Sequence, residues 1–275
     1  MAEVITSAAN PLVKRVRLLA DRRHRRREGA FVVAGIQPVW QAVEAGAPIE
    51  TLIVAPDLLR PPAAAEMVAA QEASGVRVAR VSAELFGRIT QGAASSSGLA
   101  AIVAVTQRDL AGLPVTPGAV FVALHEAGNP GNLGTIIRTA GAAGAAGVIL
   151  IGPSTDPHDP AAVKASMGAV FEVPVAQAAS AGEFTDWARA GRVTVYPATA
   201  RATRSCWETP FSPPLALLLG SEGSGLPEEL LDAGPGVAIP MTGTAESLNL
   251  AVATGVLLYE TRRRLTGPSA PERTG

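Results

Sequence analysis

Apolar residues fall in short runs separated by glycine, proline and amphipathic stretches. Residues 31–34, 51–55, 76–81 and 99–105 are apolar runs of strand length. Between them, 39–45, 63–74 and 82–89 carry helix-like patterns, with Gly46 and Gly75 as stops. Upstream, Leu12, Val13, Val16, Leu18 and Leu19 recur among basic residues, which predicts one helix over 10–27. Residues 107–118 hold Pro114 and Pro117 and read as a linker, separating a unit over 1–106 from one over 119–266. The second unit starts with a strand at 119–124, a Gly/Asn/Pro-rich loop and a helix at 135–143. A strand at 147–151, a helix at 161–170 and a strand at 193–197 follow. Residues 215–219 are wholly apolar, as in a strand buried on both faces. Then come a short helix at 226–233 opened by Pro227, a strand at 236–239 and the longest helix at 247–264. Strands alternating with helices predict an α/β fold with parallel sheet. Residues 267–275 read as a disordered tail.

Composition narrows the classes. The 275 residues are 48% hydrophobic but only 4% aromatic and 17% charged, below the usual ~25% charged. Mean hydropathy is +0.26, yet no stretch approaches the roughly 18 apolar residues of a spanning helix. The start, MAEVITSAANPLVKR, has no apolar signal core, so a cytoplasmic protein is expected. A lone cysteine, Cys206, excludes an intrachain disulfide and fits a reducing compartment. Three scattered histidines, without HExxH or CxxC, give no reason to expect a metal.

Net charge is −1, but its distribution is uneven. Residues 1–30 hold eight Lys/Arg against three Asp/Glu, and the run Arg22, Arg23, His24, Arg25, Arg26, Arg27 dominates them. Two readings stand: a solvated helix face, or a contact for an anionic partner.

Three loops follow apolar strands, where open α/β sheets bind ligands. They start at His125, Gly220 and Ile239. Gly128, Gly131 and Gly134 are spaced GxxGxxG, which is not the dinucleotide fingerprint GxGxxG, and no Walker A lysine is present. A GxSxG elbow is also missing.

The stretches NPGNLGTIIRTA, LLLGSEGSGL and IPMTGTAESLNLAVATGVLLYE resemble, in order and spacing, the three motifs of the SpoU (TrmH) branch of the SPOUT RNA methyltransferases. KASMGAVFEVPV is similar to a further family stretch, and ITSAANPLVKRVRLLADRRHRRREGAFVVAG resembles the start of a small ribosomal-protein-type substrate-binding domain. The resemblance implies a parallel sheet ending in a deep C-terminal trefoil knot that binds S-adenosylmethionine bent, largely through backbone groups. It implies a homodimer that methylates ribose 2′-hydroxyls of RNA, most simply 23S-type ribosomal RNA. A transfer RNA enzyme and a non-catalytic knotted RNA-binding protein are the alternatives.

The same resemblance assigns residues. The cofactor pocket would involve Leu219, Gly220, Gly225, Ile239, Met241 and Leu248. Arg138 matches the arginine proposed to act on the 2′-hydroxyl, either as a strongly perturbed base or as a group that holds phosphate and stabilises the alkoxide, since a free guanidinium stays protonated at neutral pH. Asn132 matches the asparagine that orients Arg138 or RNA; it is expected in the loop, with Arg138 one turn into the helix. Glu222 matches a carboxylate that orders its loop or neighbours the sulfonium. Ser247 and Asn249 match the third motif's pair, expected at a helix N-cap and in its first turn. Asn129 and His125-Glu126 depart from the family's usual Asp and Asp-Gly. His125 could serve as a base near neutral pH, but a strand-end structural role suits it better. Arg22, Arg23, Arg25, Arg26 and Arg27 would meet RNA phosphates, with Lys14, Arg15 and Arg17 extending the surface. With few aromatics, shape and backbone contacts should dominate over base stacking.

Overall fold

A computed structural model describes residues 4–90, 96–106 and 108–266; the expected tail at 267–275 lies outside them. The chain divides into two compact units. One comprises 1–106 together with Asp156–Glu172, and the other comprises Gln107–Thr155 with the remainder. The sequence pattern alone assigns 156–172 to the second part; in the structure its apolar side chains pack with the first.

The first unit holds helices α1 (Pro11–Leu18) and α2 (Arg22–Glu28), strand β1 (Ala30–Ala34), α3 (Ile36–Glu44), β2 (Ile49–Val54), α4 (Pro62–Ala73), β3 (Arg77–Arg80), α5 (Ala83–Ile89) and β4 (Leu99–Ala104). The strands form a sheet of order β1-β4-β2-β3, antiparallel except for β2 with β3. Strand side chains alternate between faces, so each face gains its own core. Ile53, Ala100 and Ile102 pack with Leu12, Val13, Val16 and Phe86 on one side. Leu52, Val54, Leu99 and Ala101 pack with Val39 and Met67 on the other, joined by Val163.

The single helix expected over 10–27 is two. Asp21 caps α2 by accepting from the Arg23 and His24 N–H groups. The Arg25 guanidinium donates to the carbonyls of Leu19 and Ala20, filling acceptors that the end of α1 leaves open. The helix expected over 161–170 also divides, into α7 (Pro160–Ser166) and α8 (Ala169–Glu172). Met167 and Gly168 between them adopt φ of +49° and +90°, which no helix continues through.

The second unit carries β5 (Arg108–Asp109), β6 (Val120–His125), α6 (Pro130–Ala142), β7 (Gly147–Ile151), β8 (Val175–Ala178), α9 (Ala181–Ala190), β9 (Thr194–Pro197), β10 (Leu215–Leu219), α10 (Glu228–Leu231) and α11 (Leu250–Thr266). Its six strands are all parallel, in the order β5-β8-β7-β6-β10-β9. Every residue of β7 and β10 is buried, as a sheet covered on both faces requires. The expected linker is partly structured: β5 pairs with β8, and Leu110 and Leu113 are 3% exposed within the core. The strand expected at 236–239 reduces to two parallel bridges, Ala198 with Val237 and Ser205 with Ala238.

Candidate functional site

The centre of the parallel sheet sets the site. β6 and β10 are neighbours in register, Leu124 beside Leu219, although far apart in sequence. From β6 the chain continues to β7 on one side, while β10 faces β9 on the other. Such a reversal opens a crevice at the carboxyl ends of the strands. The loops after β6 and β10 lie at this end, and α11, whose start carries the third motif, packs on both α6 and β10.

The loop after β6 leads directly into α6. Asn129 is its N-cap, the side-chain oxygen accepting from the Asn132 N–H at 3.0 Å, and Pro130 opens the first turn. Asparagine caps as well as aspartate does, so the departure from the family pattern at this position preserves the cap. The helix starts earlier than expected: Asn132 is in its first turn and Arg138 lies about 9 Å further along the axis. Arg138 is exposed and makes no hydrogen bond or ion pair among the described residues. His125 ends β6 with a buried Nδ1 that lacks a hydrogen-bond partner among the described residues.

The loop after β10 is closed on itself. Ser221 and Gly225 exchange backbone hydrogen bonds at 3.1 and 3.2 Å, and the hydroxyls of Ser221 and Ser224 meet at 2.7 Å. A Cβ at Gly220 would lie 2.1 Å from the Gly225 carbonyl carbon, so only glycine allows this closure. Glu222 projects from the turn and accepts a hydrogen bond from the Asn132 side-chain amide. The Asn249 amide donates in turn to Asn132 Oδ1 at 3.2 Å. Residues from all three motif segments are thereby joined in one hydrogen-bonded chain.

The third segment corrects one expectation. Asn249, not Ser247, caps α11: its Oδ1 accepts from the N–H groups of Ala251 and Val252. Ser247 lies exposed two residues upstream, without a hydrogen bond among the described residues. From Ile239 to Leu248 no backbone or side-chain group is hydrogen-bonded among the described residues. Met241 and Leu248, in that segment, are 39% and 37% exposed, whereas Leu219 is buried.

The arginine run divides by environment. Arg22, Arg23 and Arg26 are exposed and unpaired among the described residues, and Arg27 is 3.6 Å from Glu28. Arg25 is 2% exposed, so its grouping with the RNA-facing arginines is corrected. It bonds Asp156 at 2.8 Å and approaches Asp159 at 3.6 Å. Burial alone would raise the Asp156 pKa; hydrogen bonds from His158 and Arg25 outweigh it and hold the carboxylate below its usual range. Nothing in the run itself distinguishes Arg25; the signal lies in Asp156 and Asp159, more than a hundred residues away. Arg15 is likewise engaged, with Glu28 and Glu50. Lys14 and Arg17 remain exposed and unpaired among the described residues.

Residues 119–259 match the SpoU rRNA Methylase family, and residues 10–100 match the MRM3-like substrate binding domain. The chain belongs to the SpoU family. This SpoU-family protein is 33% identical over 262 residues to the 23S rRNA (uridine(2479)-2′-O)-methyltransferase of Streptomyces viridochromogenes, covering 92% of this chain and 90% of that one. It is 29% identical to the 23S rRNA (guanosine(2553)-2′-O)-methyltransferase RlmP of Bacillus subtilis, covering 94% and 98%. A crystal structure of an AdoMet-bound rRNA methyltransferase from Sinorhizobium meliloti superposes with a TM-score of 0.87 at 37% identity, covering 96% of this chain and 98% of that one. No helix among the described residues is long and apolar enough to cross a membrane, and none of their His, Cys, Asp and Glu side chains cluster to hold a metal.

Proposed function

We propose that this SpoU-family protein methylates a ribose 2′-hydroxyl of ribosomal RNA of the 23S type, with S-adenosylmethionine as methyl donor. The observation that carries the reading is the junction of the three motif segments through Asn249, Asn132 and Glu222 at the carboxyl ends of β6 and β10.

The cofactor fits the residues present. Free backbone groups from Ile239 to Leu248 can bind a bent nucleoside, and exposed Met241 and Leu248 offer apolar surface to a purine. Glycine at 220 lets the Gly225 backbone approach closely, Gly225 takes a φ of +69°, and in this reading Leu219 and Ile239 flank the cofactor. When bound, the cofactor supplies an electrophilic methyl group on a sulfonium. Around it the protein's own groups have separate tasks. Arg138 holds the RNA phosphate and stabilises the alkoxide, because a guanidinium keeps its proton at neutral pH. Asn132 orients the RNA side of the site. Glu222 places negative charge in the turn, a natural neighbour for a sulfonium. Ser247, exposed beside the cofactor segment, offers a hydroxyl to the ribose or the cofactor.

Arg22, Arg23, Arg26 and Arg27 supply phosphate contacts, helped by Lys14 and Arg17. We also propose a homodimer: Val252 and Tyr259, seven residues apart on α11, are 52% and 54% exposed and form an apolar stripe suited to a second copy. The knotted C-terminal connection belongs to the same reading and is supported by 237–238 returning beside Ala198 and Ser205 after β10 is laid down. A cytoplasmic location follows from a ribosomal RNA substrate.

The test is a map of ribose methylation in total RNA made with and without the protein. One new 2′-O-methyl group in 23S-type RNA is expected; methylation of transfer RNA alone overturns the substrate. Calorimetry with S-adenosylhomocysteine tests the cofactor, and no binding overturns it.

A further inference from the structure

We propose that Asn249 and Asn132 form an amide relay that fixes Glu222 as a hydrogen-bond acceptor, with Asn249 as the residue that sets its polarity. The relay is a property of the side chains themselves. Only the use made of Glu222 rests on the functional reading above.

An asparagine amide can be turned over at little cost unless its neighbours forbid it. Here they do. Backbone N–H groups only donate, so the Asn249 atom that meets Ala251 N at 2.9 Å and Val252 N at 3.3 Å must be its oxygen. Its nitrogen then points the other way, 3.2 Å from Asn132, and requires an acceptor there. Asn132 must therefore present its oxygen to Asn249 and its nitrogen to Glu222. The polarity of the α11 N-terminus thus passes through two amides to a carboxylate on a different loop. A second cap steadies the middle of the chain: the Asn132 N–H donates to Asn129 Oδ1, holding the first turn of α6. Asn249 and Asn132 are positioning residues in this scheme, acting through Glu222.

The relay predicts a result opposite in sign to that of plain capping. Aspartate caps a helix as well as asparagine, and its charge suits a helix N-terminus. If Asn249 only caps, Asn249→Asp is neutral or stabilising. If the relay operates, the substituted carboxylate still caps but its second oxygen faces Asn132, whose amide turns over and brings oxygen against Glu222. Replacing Glu222 by Gln then repairs the chain, because glutamine can donate. In the wild-type background Glu222→Gln keeps an oxygen for Asn132 and changes little.

The experiment is a melting cycle on the full chain with Asn249→Asp, Glu222→Gln and the double variant. It is run at about 1 M salt, where plain charge repulsion is screened. Asn249→Asp is expected to lower the melting temperature by about 2–4 °C, Glu222→Gln alone by less than about 1 °C, and the double variant should recover most of the loss. Asn249→Asp melting at or above wild type, or effects that simply add, overturn the relay. Asn132→Asp offers an independent route to the same mismatch, and the same rescue by Glu222→Gln is required of it. Melting needs no substrate, so its outcome is separate from the functional reading. If wild type binds S-adenosylhomocysteine while the cycle is additive, the relay fails and the reading stands; a rescued cycle without that binding has the reverse meaning.

Discussion

Two arginines, one from each unit, stand in opposite environments. In the first unit Arg25 is enclosed, its guanidinium shared among two helix-end carbonyls and two aspartates. In the second, Arg138 stands exposed on α6 without a partner among the described residues. A buried charge must be matched inside the fold, because its desolvation would otherwise cost several kcal/mol. An exposed, unmatched guanidinium is already solvated and can exchange that water for a phosphate or an alkoxide. The contrast separates an arginine that builds the protein from one available for chemistry, although both stand on helices.

Four measurements would break or sharpen this contrast. Arg138→Ala should reduce methyl transfer by at least about 10²-fold, while denaturant unfolding changes by no more than about 0.5 kcal/mol. Normal transfer would remove Arg138 from the chemistry. Arg25→Ala should do the reverse, lowering stability by about 3–5 kcal/mol, because Asp156 loses its guanidinium partner and keeps only His158, and the Leu19 and Ala20 carbonyls lose their donor. Adding Asp156→Ala should return part of that loss, and a mild effect of Arg25→Ala would mean that the cluster is better solvated than its geometry indicates. Replacing Arg22, Arg23 and Arg26 by Ser should weaken RNA binding and flatten its salt dependence, by roughly 0.7–0.9 in the logarithmic slope per lost contact. Unchanged binding would make this a solvated face.

The smallest effect is in acid. Asp156 is held below its usual pKa, and Glu260 is pulled down to about 2, first by Arg263, against burial, and then by Arg264. Both folded values lie below the unfolded ones, so in between the unfolded chain binds more protons and stability falls as pH falls. The contribution of Glu260 is complete above about 4.5 and disappears towards pH 2, and that of Asp156 declines below about 3.8. Glu260→Gln should flatten the first of these declines in acid unfolding curves; an unchanged curve would show that the Arg263 and Arg264 contacts carry little weight.

Legibility in the sequence follows burial. β7 and β10 are continuous apolar runs, and the strands observed at 147–151 and 215–219 match expectation residue for residue. β8 is not legible: VAQA is four residues long with Gln177 exposed. α9 buries only Phe184 and Ala188, too few for a clear apolar stripe. Its signal is the Ser180 cap three residues before Glu183, whose N–H the serine accepts. At the site, the motif segments can be read but not their contacts. Asn249 reads as a helix-interior residue until its cap is seen.

By itself the sequence determined the α/β class, the strands buried on both faces and the two loops that follow β6 and β10, since these depend on local periodicity and on glycine and proline. Tertiary structure alone decided which arginine is enclosed, to which unit residues 156–172 belong, and that Asn132, Glu222 and Asn249 meet. Those outcomes depend on partners dozens of residues or more away: Arg25 is set apart by Asp156, and Asn249 reaches Asn132 because β6 and β10 lie side by side. A pattern of residue types records how much of a segment is buried, but not which distant atom completes its hydrogen bonds.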